Sequence, residues 1–119
     1  MISMFKALPV ILVLLLLAPL MPKAQDSTFA KKPVFVLEIK SEIDARTKRY
    51  VDLALDEAKA SGSGYIIIDM NTYGGALYDA DEIRTALLQL EIPVYVYVNK
   101  NAASAGALIS IACDSIYMA

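Results

Sequence analysis

Tyr65-Ile66-Ile67-Ile68-Asp69-Met70, running directly into Asn71-Thr72-Tyr73-Gly74-Gly75, is the stretch that decides the fold. Three consecutive isoleucines are stiff at χ1 and suit a pleated strand. The apolar run is unbroken instead of alternating, the pattern of a strand buried on both faces, and such strands belong to parallel sheets. A parallel neighbour is reached only through a crossover of a dozen or more residues, so helices are expected on either side. The two glycines after the strand suggest backbone N–H groups left free to hold an anion.

The rest of the chain fits that expectation. Pro33 precedes Val34-Phe35-Val36-Leu37-Glu38-Ile39, a first strand. Asp44 reads as the N-cap of a helix over residues 45 to 61, with Tyr50, Leu53, Ala54 and Ala58 at helical spacing and Gly62 as the C′ stop. A second helix is expected from Leu77 to Leu90, with Ala80, Ile83, Ala86, Leu87 and Leu90 on one side, ended by Pro93. A strand over residues 94 to 98 follows, then a buried helix over residues 104 to 113, and Ser115-Ile116-Tyr117-Met118 opens a fourth strand. This β-α-β-α-β-α-β rhythm predicts an α/β fold with a mainly parallel sheet and right-handed crossovers. With no helix after the last strand, the domain is expected to be truncated and to continue beyond Ala119.

The chain has 119 residues, 57% of them hydrophobic, and a net charge of −2. Its mean hydropathy of +0.50 is high for a soluble domain, and much of the excess lies before Lys23. Met1 to Met21 carries one charge, Lys6, and an apolar run from Ala7 that is too short for a bilayer-spanning helix. Residues 1–24 therefore read as an export signal cut after Ala24, or as an uncleaved N-terminal membrane anchor since Pro22 is unfavourable for cleavage. Residues 25–32 form a polar tether, and residues 33–119 a partial domain outside the cytoplasm. The acidic balance gives no support for nucleic acid or an anionic membrane surface as partner. Cys113 is the one cysteine, lies in an apolar stretch and reads as core. The chemistry considered below calls for no cofactor or metal.

Ser104 lies in Asn101-Ala102-Ala103-Ser104-Ala105-Gly106, between a strand and a helix. It is a candidate nucleophile, and equally a plain helix N-cap. The chain contains no histidine, so a Ser-His-Asp triad cannot be built from it and the base would be a lysine. An oxyanion formed at Ser104 could be held by the N–H of Gly74 or Gly75 together with that of Ala105. Both signals fall at the carboxyl ends of successive parallel strands, where α/β proteins place ligands. Lys100 reads as a solvated loop lysine, while Lys40, Lys48 and Lys59 read as surface charges. Asp69 and Asp114 are expected in turns, Asp69 by capping the N–H groups of Asn71 and Thr72.

From Pro33 to Ala119 the chain resembles the N-terminal protease region of NfeD-type membrane-bound serine proteases, relatives of the ClpP class. The resemblance rests on Ile39-Lys40-Ser41-Glu42-Ile43-Asp44, on Asp69 to Gly75, on Ile92-Pro93-Val94-Tyr95-Val96-Tyr97-Val98 and on Ala103-Ser104-Ala105-Gly106. It implies a ClpP/crotonase-like fold of stacked β-β-α units, Ser104 as nucleophile, Gly74 and Gly75 at the oxyanion site, and a downstream lysine that completes a Ser-Lys dyad. That lysine is expected beyond Ala119, so residues 1–119 alone are expected to be nearly inactive. The resemblance further implies homo-oligomers, cleavage of hydrophobic peptide segments and stomatin-like membrane proteins as partners. Tyr73 departs from the family pattern, in which proline more often precedes the two glycines.

Two other readings compete with an exported, membrane-associated serine endopeptidase. One is a non-catalytic binding and assembly module for membrane partner proteins. The other is a crotonase-type acyl-CoA enzyme, which export makes unfavourable because CoA chemistry is cytoplasmic.

Overall fold

A computed structural model describes residues 31–119. The segment read as signal or anchor and most of the polar tether lie outside the described residues. Four strands alternate with three helices: β1 (Val34–Ile39), α1 (Ala45–Ala60), β2 (Tyr65–Thr72), α2 (Leu77–Leu88), β3 (Val94–Ala102), α3 (Ala105–Ser110) and β4 (Ser115–Met118). The strands form one sheet in the order β1-β2-β3-β4, every neighbouring pair parallel. One further parallel bridge, Ile43 with Gly75, lies past the carboxyl ends of β1 and β2.

The core lies between the sheet and the helices. Leu37 and Ile39 of β1, Ile66, Ile68 and Met70 of β2, and Val94 and Val96 of β3 are buried against Val51, Leu55, Ile83, Leu87 and Ile109. The other face of the sheet is open among the described residues. Val34, Val36, Tyr65, Tyr97 and Tyr117 are exposed there, and Tyr65 stacks on Tyr95 at 6.0 Å. Ile67 is only partly buried, which corrects the expectation of burial on both faces. The parallel pairing came from the crossovers, whereas covering the second face requires elements outside residues 31–119.

The first helix also departs from its expected phase. Its buried side is Thr47, Val51, Ala54, Leu55 and Ala58, while Tyr50 and Leu53 are about half exposed. Asp44 caps it as expected, accepting N–H bonds from Arg46 at 3.0 Å and Thr47 at 2.9 Å. Gly62 takes a φ of 67° just past its end, the left-handed stop that glycine adopts without strain. β3 runs four residues further than expected, to Ala102. Its pairing with β2 shifts there: Met70 faces Val98, but Thr72 faces Ala102. The extra residues of β3 carry the chain to Ser104.

Candidate active site

Three loops meet at the carboxyl edge of the sheet. The Ile43 N–H donates to Gly74 O at 2.9 Å and the Ala76 N–H to Ile43 O at 2.7 Å, joining the loop after β1 to the loop after β2. The Ala103 N–H donates to Thr72 O at 3.1 Å and adds the loop after β3. A cleft of about 480 Å³ opens along this edge, lined by residues 40–42 and 71–75. Ser104 is not part of its lining but touches it through Gly74. A Cβ placed on Gly74 would come to 2.9 Å from Ser104 Cβ and 3.2 Å from the Ala105 nitrogen, so only glycine allows this approach.

Ser104 does not behave as a cap. Its side chain makes no capping hydrogen bond and is exposed. Among the described residues it is the one non-glycine with positive φ, at φ 50° and ψ −114°. These angles belong to the first central position of a type II′ turn, a place usually held by glycine. The Gly106 N–H closes that turn on Ala103 O at 2.9 Å. Holding a serine there costs about 1–3 kcal/mol. Strain of this kind is how a sharp strand-to-helix turn presents a nucleophilic hydroxyl to solvent.

The two glycines have different duties. Gly74 donates its N–H to Thr72 Oγ1 at 3.1 Å, so it is not a free donor. Gly75 sits at φ 153°, and a Cβ there would come to 2.1 Å from Ile43 O. Among the described residues the N–H groups of Gly75 and Ala105 have no acceptor.

Three of the described lysines are held in ion pairs. Lys40 Nζ lies 2.7 Å from Asp69 Oδ2 and 2.6 Å from Glu38 Oε1. These hydrogen bonds, that of Asp69 first, hold its ammonium protonated up to about 12. Lys48 pairs with Asp52 and Lys59 with Asp56, and Lys100 is exposed. Asp69 therefore serves Lys40 within the sheet, which corrects the turn role expected for it. It lies inside β2, opposite Glu38 in the register, so its side chain meets the neighbouring strand. Asp114 does act at a turn, its Oδ2 accepting the Val94 N–H at 2.7 Å. Burial, helped by Asp114, pushes the Cys113 thiol up to about 12, which leaves it inert.

Thr72 and Ser41 were not singled out by sequence. Thr72 Oγ1 donates to Ser41 O at 2.7 Å, and Ser41 Oγ lies 3.2 Å from Thr47 Oγ1. The available signal was a polar residue at the inward parity of β2, in line with Ile66, Ile68 and Met70.

The family model described as NfeD1b, N-terminal domain, matches residues 33–119. The membrane protein NfeD1b of Bacillus subtilis is 37% identical over 89 residues, 75% of this chain and 20% of that protein. The membrane-bound protease PH1510 of Pyrococcus horikoshii is 34% identical over 93 residues, 76% of this chain and 21% of that protein. A solved lysine-to-alanine variant of the 1510-N membrane-bound stomatin-specific protease, in complex with a substrate peptide, superimposes with a TM-score of 0.69 at 33% identity, covering 75% of this chain and 42% of that one. ClpP1 from Listeria monocytogenes gives a TM-score of 0.58 at 24% identity over 66% of this chain and 46% of its own. The fold is ClpP-like. The chain spans about a fifth of the length of the curated relatives it matches.

Proposed function

Because the chain belongs to the NfeD1b N-terminal domain family, we propose that it is the nucleophile-bearing part of a membrane-associated serine endopeptidase of the Ser-Lys type, acting on hydrophobic peptide segments. The observation that carries this reading is Ser104 itself, exposed, uncapped and held at φ 50° against Gly74.

In this reading Ser104 Oγ attacks the peptide carbonyl as its proton passes to a lysine amine. The carbonyl oxygen, now an oxyanion, is received by the N–H groups of Gly75 and Ala105. Removing one such donor typically costs 10²–10³ in rate. Gly74 contributes by its missing side chain, while its N–H fixes the loop through Thr72. Lys40 is not that lysine in this reading, since a base has to be neutral and Asp69 and Glu38 hold Lys40 as a cation. Collapse of the tetrahedral species expels the amine, which takes the proton from the lysine, and water then releases the acyl group from Ser104.

The same reading includes export, membrane association through residues 1–24, homo-oligomerisation and a stomatin-like membrane protein as partner. The partner is supported by the name of the relative described as stomatin-specific. Membrane association is supported by two relatives named as membrane proteins. Among the described residues no helix is long and apolar enough to cross a membrane.

The test is cleavage of an apolar peptide by the complete protein in membranes. Wild type cuts it, and Ser104→Ala cuts at least about a thousandfold more slowly. Equal cleavage by both removes the nucleophile assignment. Equal binding with no cleavage by either supports the assembly-module reading instead.

A further inference from the structure

Thr72 ends β2 at the inward parity and is 2% exposed. A hydroxyl has one proton and two lone pairs. The Thr72 proton goes to Ser41 O at 2.7 Å, and one lone pair takes the Gly74 N–H at 3.1 Å. Its carbonyl takes the Ala103 N–H at 3.1 Å. Its γ-methyl fills the space beside Gly106, where a Cβ would come to 2.6 Å from it. Ser41 lies in the loop after β1, Gly74 in the loop after β2 and Ala103 in the loop after β3. One residue thus fastens all three loops, and its β-branched side chain has few rotamers through which to yield.

We infer that Thr72 is the positioning residue of the site, setting the glycine loop against Ser104. Its hydroxyl takes the Gly74 N–H, which fixes the direction of the following peptide and leaves Gly75 N–H as a donor beside Ala105 N–H. Its methyl and carbonyl hold the turn that presents Ser104. The catalytic consequence rests on the serine-protease reading; the mechanical link between Thr72 and the loop does not.

The two parts of the side chain separate by substitution in the complete protein. Thr72→Val keeps the branched shape and removes the hydroxyl, while Thr72→Ser keeps the hydroxyl and removes the methyl. Hydrogen exchange at the Gly74 amide reads the link, and kcat and KM on an apolar peptide read its consequence. Thr72→Val is expected to speed Gly74 exchange and lower kcat, each by about tenfold or more. Its KM stays within about twofold, since substrate contacts are kept. Thr72→Ser restores both quantities to within about threefold of wild type.

Wild-type Gly74 exchange in Thr72→Val overturns the proposal, as does a serine variant as impaired as the valine one. Faster exchange with unchanged kcat overturns the catalytic part. If Ser104→Ala cleaves like wild type, the protease reading fails separately, and Gly74 exchange alone still decides whether Thr72 holds the loop. Should Thr72→Val fail to fold, Thr72→Cys carries the same expectation, and normal Gly74 exchange in it overturns the link.

Discussion

Asp44 and Ser104 occupy the same place in two units of one sheet, each the residue before a helix that follows a parallel strand. Asp44 has extended backbone, φ −140°, and caps α1 through two N–H groups. Ser104 has φ 50° and caps nothing. The first residue supports its helix, whereas the second leaves its hydroxyl exposed at a backbone cost. Which of the two a short polar residue does is decided by what faces it. The Asp44 carboxylate bonds Arg46 and Thr47 of its own helix, while Ser104 is opposed by a glycine loop that leaves room for its Cβ.

The largest expected effect breaks the contrast by filling that room. Gly74→Ala puts a methyl group 2.9 Å from Ser104 Cβ at φ 109°, and labelling by a serine-directed fluorophosphonate should fall about a hundredfold or more. Gly62→Ala is the control. It carries a similar backbone penalty at φ 67° but meets nothing within 4 Å, so it should lower the melting midpoint and leave labelling unchanged.

Asp44→Ala should lower the melting midpoint by roughly 4 °C or more through the lost cap. Ser104→Ala should move it by less than about 1 °C, because no cap bond is lost. Ser104→Gly should raise it by about 2 °C, since relief of strain outweighs the added chain entropy of glycine. Thermal melts of the three variants check the ordering.

The smallest effect is a dependence on pH. The Thr47 N–H, followed by Arg46, holds the Asp44 carboxyl down at about 2, against 3.8 ordinarily. A lowered folded-state value means that its stabilisation is fully present above about pH 4 and lost as pH falls through 2. The gap between wild type and Asp44→Ala should therefore close across that window, and the gap between wild type and Ser104→Ala should show no such change.

The alternation of strands and helices was legible because a period of two and a period of 3.6 are local properties of the chain. Pro93 and Gly62 marked ends, and Asp44 was read correctly as a cap. Ala54 and Ala58 do lie on the buried side of α1, whereas Tyr50 and Leu53 flank it half exposed, because size and apolarity alone do not separate the inward side from its border. The open face at Ile67 was not legible, since a run of isoleucines does not say what stacks on its second side. Ser104 could be found from its place in the rhythm, but not its strain, because a positive φ is the habit of glycine and a serine at that place gives no sign of it. Thr72 left one trace, a hydroxyl at an inward position, and its three loop contacts exist only once the chain is folded.

The central claim is that Ser104 is a nucleophile, and the most direct measurement is mass spectrometry of the complete protein after reaction with a fluorophosphonate. A single adduct on Ser104, absent from Ser104→Ala, is the predicted result. An adduct on another residue that persists in Ser104→Ala, or cleavage of an apolar peptide with no adduct at all, would contradict it.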